Sequence, residues 1–111
     1  MTLDGYAENE WVLLSYDVRV ANRSVAVRVC QIVFGRVRAD RLDHGKPRVQ
    51  KGFIDRPGVV WIGQSVLALP PRDAEELALR LGGMGVVVTT GPIGATPSVL
   101  RRFERAARPG A

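Results

Sequence analysis

Six cationic side chains, Arg36, Arg38, Arg41, Lys46, Arg48 and Lys51, fall within one short stretch of the chain, with Phe34, Phe53 and Trp61 close by in sequence. Guanidinium and ammonium groups neutralise phosphates and release counterions, while aromatic rings stack on unpaired bases with little sequence preference. The pattern predicts a non-catalytic nucleic-acid-binding segment for single-stranded DNA or RNA. In this reading the six cations hold the backbone, and Phe53 and Trp61 meet the bases. Charge placement points the same way. Residues 1–17 carry four acids and no base, whereas residues 18–60 carry ten Arg or Lys against three Asp. Clustered like charges focus a field that scattered ones cancel. A merely solvated basic face would use the same residues without a ligand.

Other chemistry-bearing residues are weaker. His44, in Asp-His-Gly-Lys-Pro, has no nucleophile or acid arranged with it, so it reads as a solvated loop residue rather than a general base. Cys30 is the chain's one cysteine, which excludes an intrachain disulfide, and it reads as a small buried apolar residue. Thr89-Thr90-Gly91-Pro92-Ile93-Gly94 lacks the Gly-Lys-Ser/Thr ending of a phosphate loop and reads as a turn leading to a helix cap. Lys51-Gly52-Phe53 opens like the strand motif of RNA-recognition domains, but Ile54, Asp55, Arg56 and Pro57 then replace its small and aromatic positions.

These residues need a frame. WVLLSYDVRV at 11–20 is β-branched and aromatic and apolar at both parities near its start, as in a central strand buried on both faces. Residues 22–34 carry two periods: Val25, Val29, Ile32 and Val33 share a helical stripe, whereas Val25, Val27 and Val29 alternate like a strand. Asn22 as an N-cap and Gly35 after the last turn favour helix. Residues 36–48 read as a surface loop or hairpin tip, 48–55 as a strand and 56–58 as a turn. Residues 59–70 read as one longer strand with a bulge at Gly63. Asp73 with Glu76 marks a helix start. Ala74, Leu77, Ala78 and Leu81 form that helix's stripe, and Gly82-Gly83 end it. A strand at 85–90 follows, then a last helix with Thr96 as N-cap, Pro97 at its first position, and Val99, Leu100 and Phe103 as anchors. The expected fold is α+β, a ferredoxin-like split βαβ (βαββαβ) antiparallel sheet with an extra C-terminal helix. Two helices would cover one sheet face, leaving the other to water, a ligand or a second copy of the chain in a homodimeric scaffold.

The 111 residues suit one domain spanning 1–111. No apolar run approaches a membrane span, and the acidic start does not resemble a secretory leader, so a cytoplasmic protein with no membrane partner is expected. Two Asn, three Gln and two Met fit a heat-adapted source, although the usual Lys enrichment is missing.

Ser15-Tyr16-Asp17 at the end of the first strand, Gln64-Ser65-Val66 in a later one, and an amphipathic helix leading to VVVTTGPI together resemble the small CRISPR-associated protein of the spacer-integration complex. The resemblance covers residues 11–93. Leu67 stands where that family has an aromatic, and residues 35–60 look inserted. The resemblance implies a second function, a metal-dependent nuclease in which Asp17, paired with its copy in a dimer, holds a divalent metal. No other cofactor is expected.

Overall fold

A computed structural model describes residues 10–19, 22–39 and 47–104. It is an α+β structure containing a four-stranded antiparallel sheet and three helices. Strand β1 (Glu10–Asp17) is followed by helix α1 (Arg23–Phe34) and the short strands β2 (Arg36–Ala39) and β3 (Pro47–Gln50), then by β4 (Val60–Gly63) and β5 (Val66–Leu69). Helix α2 (Pro71–Gly82), strand β6 (Val87–Gly94) and helix α3 (Pro97–Arg101) complete the order. The sheet runs β4-β5-β1-β6, and β2 and β3 form a separate two-stranded hairpin.

Local chemistry explains most of the boundaries. Asn22 Oδ1 accepts from the Val25 amide at 2.9 Å, and Gly35, at φ 77°, terminates α1 with its N–H on Gln31 O, so 22–34 is helical. Thr96 Oγ1 accepts from Val99 N at 3.3 Å with Pro97 in the first turn, as expected, but α3 is only five residues long. Of its expected anchors only Leu100 is buried, Val99 and Phe103 being exposed.

Four expectations need correction. The run 59–70 is not one strand: Gln64 and Ser65 turn the chain, and β4 pairs antiparallel with β5, the register slipping between Trp61 and Gly63. The bulge expected at Gly63 is therefore present, inside a hairpin. The strand expected at 48–55 keeps only its start, because Asp55 Oδ2 accepts from the Gly52 amide at 2.9 Å and closes Phe53–Asp55 into a 3-10 turn. The Thr89–Gly94 run is not a turn but the last six of the eight residues of β6, pairing with β1 as far as Glu10 opposite Gly94; Pro92 is tolerated because β6 is a sheet edge.

Asp73, lastly, is not the cap of α2. The helix begins at Pro71 with Pro70 in the cap position, and Asp73 sits in the first turn, where Oδ1 accepts from Arg56 Nη1 at 3.0 Å. Arg56 also forks onto Glu76, with both bonds at 3.0 Å. Asp73→Ala should cost roughly 1 kcal/mol through the lost ion pair and the lost charge near the helix N-terminus. A double-mutant cycle with Arg56→Ala should return a coupling of about 0.5–1 kcal/mol. Zero coupling would mean that Asp73 acts on the helix alone.

The core lies between the sheet and helices α1 and α2. Val12, Leu14 and Tyr16 of β1, Trp61 of β4 and Leu67 and Leu69 of β5 meet Val29, Val33 and Phe34 of α1 and Ala74, Leu77 and Leu81 of α2. Trp61 packs edge-to-face on Phe34, the ring centroids 5.2 Å apart. The opposite sheet face is partly closed. There Trp11, Val60 and Ala68 cluster with Leu100, and Trp11 Nε1 donates to Ala95 O at 3.1 Å, so the last segment covers one end of a face expected to be open.

Candidate nucleic-acid interface

The hairpin that carries the basic stretch is anchored at its base by two glycines. A Cβ on Gly35 would stand 2.3 Å from Gln50 O, and one on Gly52 would stand 2.3 Å from Gly35 N and 2.4 Å from Val33 O. The two backbones thus touch where α1 ends and β3 has just ended. This close approach sets Arg36 and Lys51 beside the polar flank of α1.

A cavity of about 330 Å³ opens there. Arg28, Gln31 and Ile32 of α1 form one wall, spaced i, i+3 and i+4 on one helical face. Arg36, Gln50 and Lys51 come from the hairpin base, Phe53 and Arg56 from the 3-10 turn and its end, and Arg80 from α2. Five cations therefore converge from four parts of the fold, and among the described residues no carboxylate lines the space. The Arg56 guanidinium lies 3.9 Å from the Phe53 ring centroid and that of Arg80 lies 5.6 Å from it, within cation–π range. Arg56 is already neutralised by Asp73 and Glu76, which raise its pKa further, the Glu76 hydrogen bonds contributing most. Arg36 is different: its Nε is out of solvent and has no hydrogen-bond partner.

The residues singled out from sequence separate into groups. Arg36 and Lys51 line the cavity. Arg38 and Arg48 stand directly opposite each other in the hairpin register. Arg41, Lys46 and His44 lie outside the described residues. Phe53 is 2% exposed and Trp61 9% exposed, both in the core beneath the helices. Neither presents a free ring face, so the base-stacking role expected of them is corrected: the apolar runs around them supply the core. Arg28, Arg56 and Arg80 did not stand out in the sequence, because they reach the cavity only through the packing of α1, the 3-10 turn and α2.

The residues of the CRISPR-type resemblance also come together. Ser15, Tyr16 and Asp17 join Gln64, Ser65 and Cys30 around a second cavity of about 540 Å³. Asp17 is occupied, however: Arg19 Nε donates to Oδ1 at 3.0 Å, Arg19 Nη2 donates to Oδ2 at 2.7 Å, and the Arg19 amide donates to Oδ1 at 2.9 Å. These bonds, the side-chain ones foremost, hold the carboxyl down at about 2. No group of three His, Cys, Asp or Glu that could hold a metal occurs among the described residues. Among the described residues, Asp17 is the one carboxylate that lines this cavity. Cys30 is exposed rather than buried, since it sits one residue, or about 100°, beyond Val29 on a helix whose core stripe is Val29 and Val33.

Tyr16 is buried here, and burial pushes its phenol up to about 12, with Cys30 adding to the rise and Ser65 opposing it. A raised pKa means that the folded state holds the proton more tightly than the unfolded state. The corresponding stability is complete below pH 10 and is lost between about pH 10 and 12, by roughly 2–3 kcal/mol. Alkaline denaturation followed with the tyrosinate absorbance should show this loss, and Tyr16→Phe should flatten it. An unchanged pH profile in Tyr16→Phe would show that the ring ionises freely.

A scan against family models, a search of curated proteins and a search of solved structures find no significant match to the chain. No helix among the described residues is long and apolar enough to cross a membrane.

Proposed function

We propose that the chain is a non-catalytic nucleic-acid-binding module of ferredoxin-like topology. The observation that carries the binding reading is the convergence of Arg28, Arg36, Lys51, Arg56 and Arg80 on one cavity at the foot of a hairpin that bears further cations. Arg38 and Arg48, opposite each other in the hairpin register, add two further cations to it. With base stacking by Phe53 and Trp61 removed, affinity rests on the phosphate backbone, so binding is salt-dependent and tolerant of sequence. The topology part rests on chain order. With the β2–β3 hairpin set aside as an insertion after α1, the strands read across the sheet are the second, third, first and fourth in chain order. One helix follows the first strand in chain order and another follows the third.

The test is an anisotropy titration with short single-stranded and duplex DNA and RNA at several salt concentrations. Wild type should bind single strands with a steep fall of log affinity against log salt. Replacing Arg36, Arg38, Lys46 and Lys51 together should flatten that slope by about 0.7–0.9 units for each phosphate that is no longer neutralised. Lys51 is exposed and should contribute only about 0.5 kcal/mol to fold stability, whereas Arg36 is half-buried, so the denaturation midpoint of the variant is measured alongside the titration. Absence of salt-sensitive binding to every nucleic acid at low ionic strength would overturn the reading.

A further inference from the structure

We infer that the basic cavity is an end-binding site, which takes the terminal phosphate monoester of a nucleic-acid strand rather than a phosphodiester running past it. The inference rests on the nucleic-acid reading above and deepens it. Its first support is shape. The walls come from α1, the hairpin base, the 3-10 turn and α2, and the volume of about 330 Å³ lies near the lower end of the range for small-ligand sites, roughly 300–1,000 Å³. A space of that size bounded by four elements holds one phosphate with its sugar, not a length of strand.

The second support is charge. A phosphate monoester carries about −1.5 to −2 at neutral pH and three acceptor oxygens, against a single charge on a diester. Arg56 is neutralised by its two carboxylates, and Arg80 is turned onto the Phe53 ring with Glu76 near it. Arg28, Arg36 and Lys51 have no acidic partner among the described residues, and the Gln31 and Gln50 amides stand among them as neutral donors. A dianion matches that surplus better than a monoanion. Arg36 is the centre of the set: it is half-buried, its Nε lacks a partner, and its backbone is fixed by the close approach of Gly35 and Gly52. A guanidinium held in place without a counter-charge is preorganised for an anion.

Binding of one short oligonucleotide is compared in three forms, with a 5′-phosphate, with a 3′-phosphate and with hydroxyls at both ends. Wild type is expected to bind one phosphorylated form at least about tenfold more tightly than the hydroxyl form, and inorganic phosphate is expected to compete away that advantage. Arg36→Gln should abolish the advantage. The exposed pair Arg28→Gln and Lys51→Gln, which leaves the buried part of the site intact, should reduce it severalfold, so that a folding defect in Arg36→Gln does not decide the matter. Neutralising Arg38 and Arg48 should weaken all three forms alike. Equal, salt-sensitive affinity for the three forms would overturn the end-binding inference and leave the nucleic-acid reading standing. If none of the three binds, both fall.

Discussion

Gly52→Ala is expected to be among the most damaging substitutions in the chain, lowering stability by about 3 kcal/mol or more. Its φ of −99° is open to any residue, so the effect is steric rather than conformational. The added Cβ would stand 2.3 Å from Gly35 N, 2.4 Å from Val33 O and 2.6 Å from Phe34 C. All three are backbone atoms, so no rotamer change relieves the overlap, and α1 and the 3-10 turn must move apart. Gly82→Ala and Gly91→Ala are the controls, since a Cβ at either position meets nothing within 4 Å. Gly82, the last residue of α2, should even gain a few tenths of a kcal/mol from better helix propensity. The measurement is the denaturant midpoint of the three variants. A midpoint for Gly52→Ala equal to that of the controls would disprove the close approach.

Phe53→Ala should cost roughly 3–5 kcal/mol, the range for deleting a fully buried aromatic ring. The ring fills the space under α1 and is also the surface over which Arg56 and Arg80 lie, so its loss empties part of the core and releases two cations from their places. Phe53→Leu keeps most of the apolar volume and should stay folded. That variant separates the two roles an aromatic can have beside a nucleic acid. A ring that only supports the cavity can be exchanged for Leu with nucleic-acid affinity nearly unchanged, whereas a ring that stacks on bases loses roughly 1–3 kcal/mol of binding. Retained affinity in Phe53→Leu is the expected result; a loss of that size at unchanged stability would restore base stacking.

Much of the frame was readable from residues alone, because it is written in local chemistry. Asn22 and Gly35 bound α1, Ala74, Leu77 and Leu81 face the core from α2, and Thr96 with Pro97 starts α3. The β4–β5 hairpin was hidden for a physical reason. Residues 59–70 are apolar at nearly every position, as both strands of a doubly covered sheet are, and the Gln64-Ser65 turn lacks the Asn-Gly or Asp-Gly signal of a tight hairpin. The candidate site was half legible. Arg36 and Lys51 stood out by density of charge, but Arg28, Arg56 and Arg80 are spread over more than fifty positions and meet only in the folded chain. The glycines at 35 and 52 were the available clue: one reads as a helix end and the other as part of a strand, while their close approach is what brings the two basic segments together.

The two outer strands of the sheet bear on how the molecule behaves at high concentration. An exposed strand offers a row of donors and acceptors to any neighbouring chain, and a long, regular one recruits copies of itself into aggregates. Here one outer strand, β4, is four residues long and irregular at Ile62, and the other, β6, contains Pro92, which has no N–H to offer an incoming strand. Both rims are poor templates, so strand addition at either edge of this sheet is disfavoured.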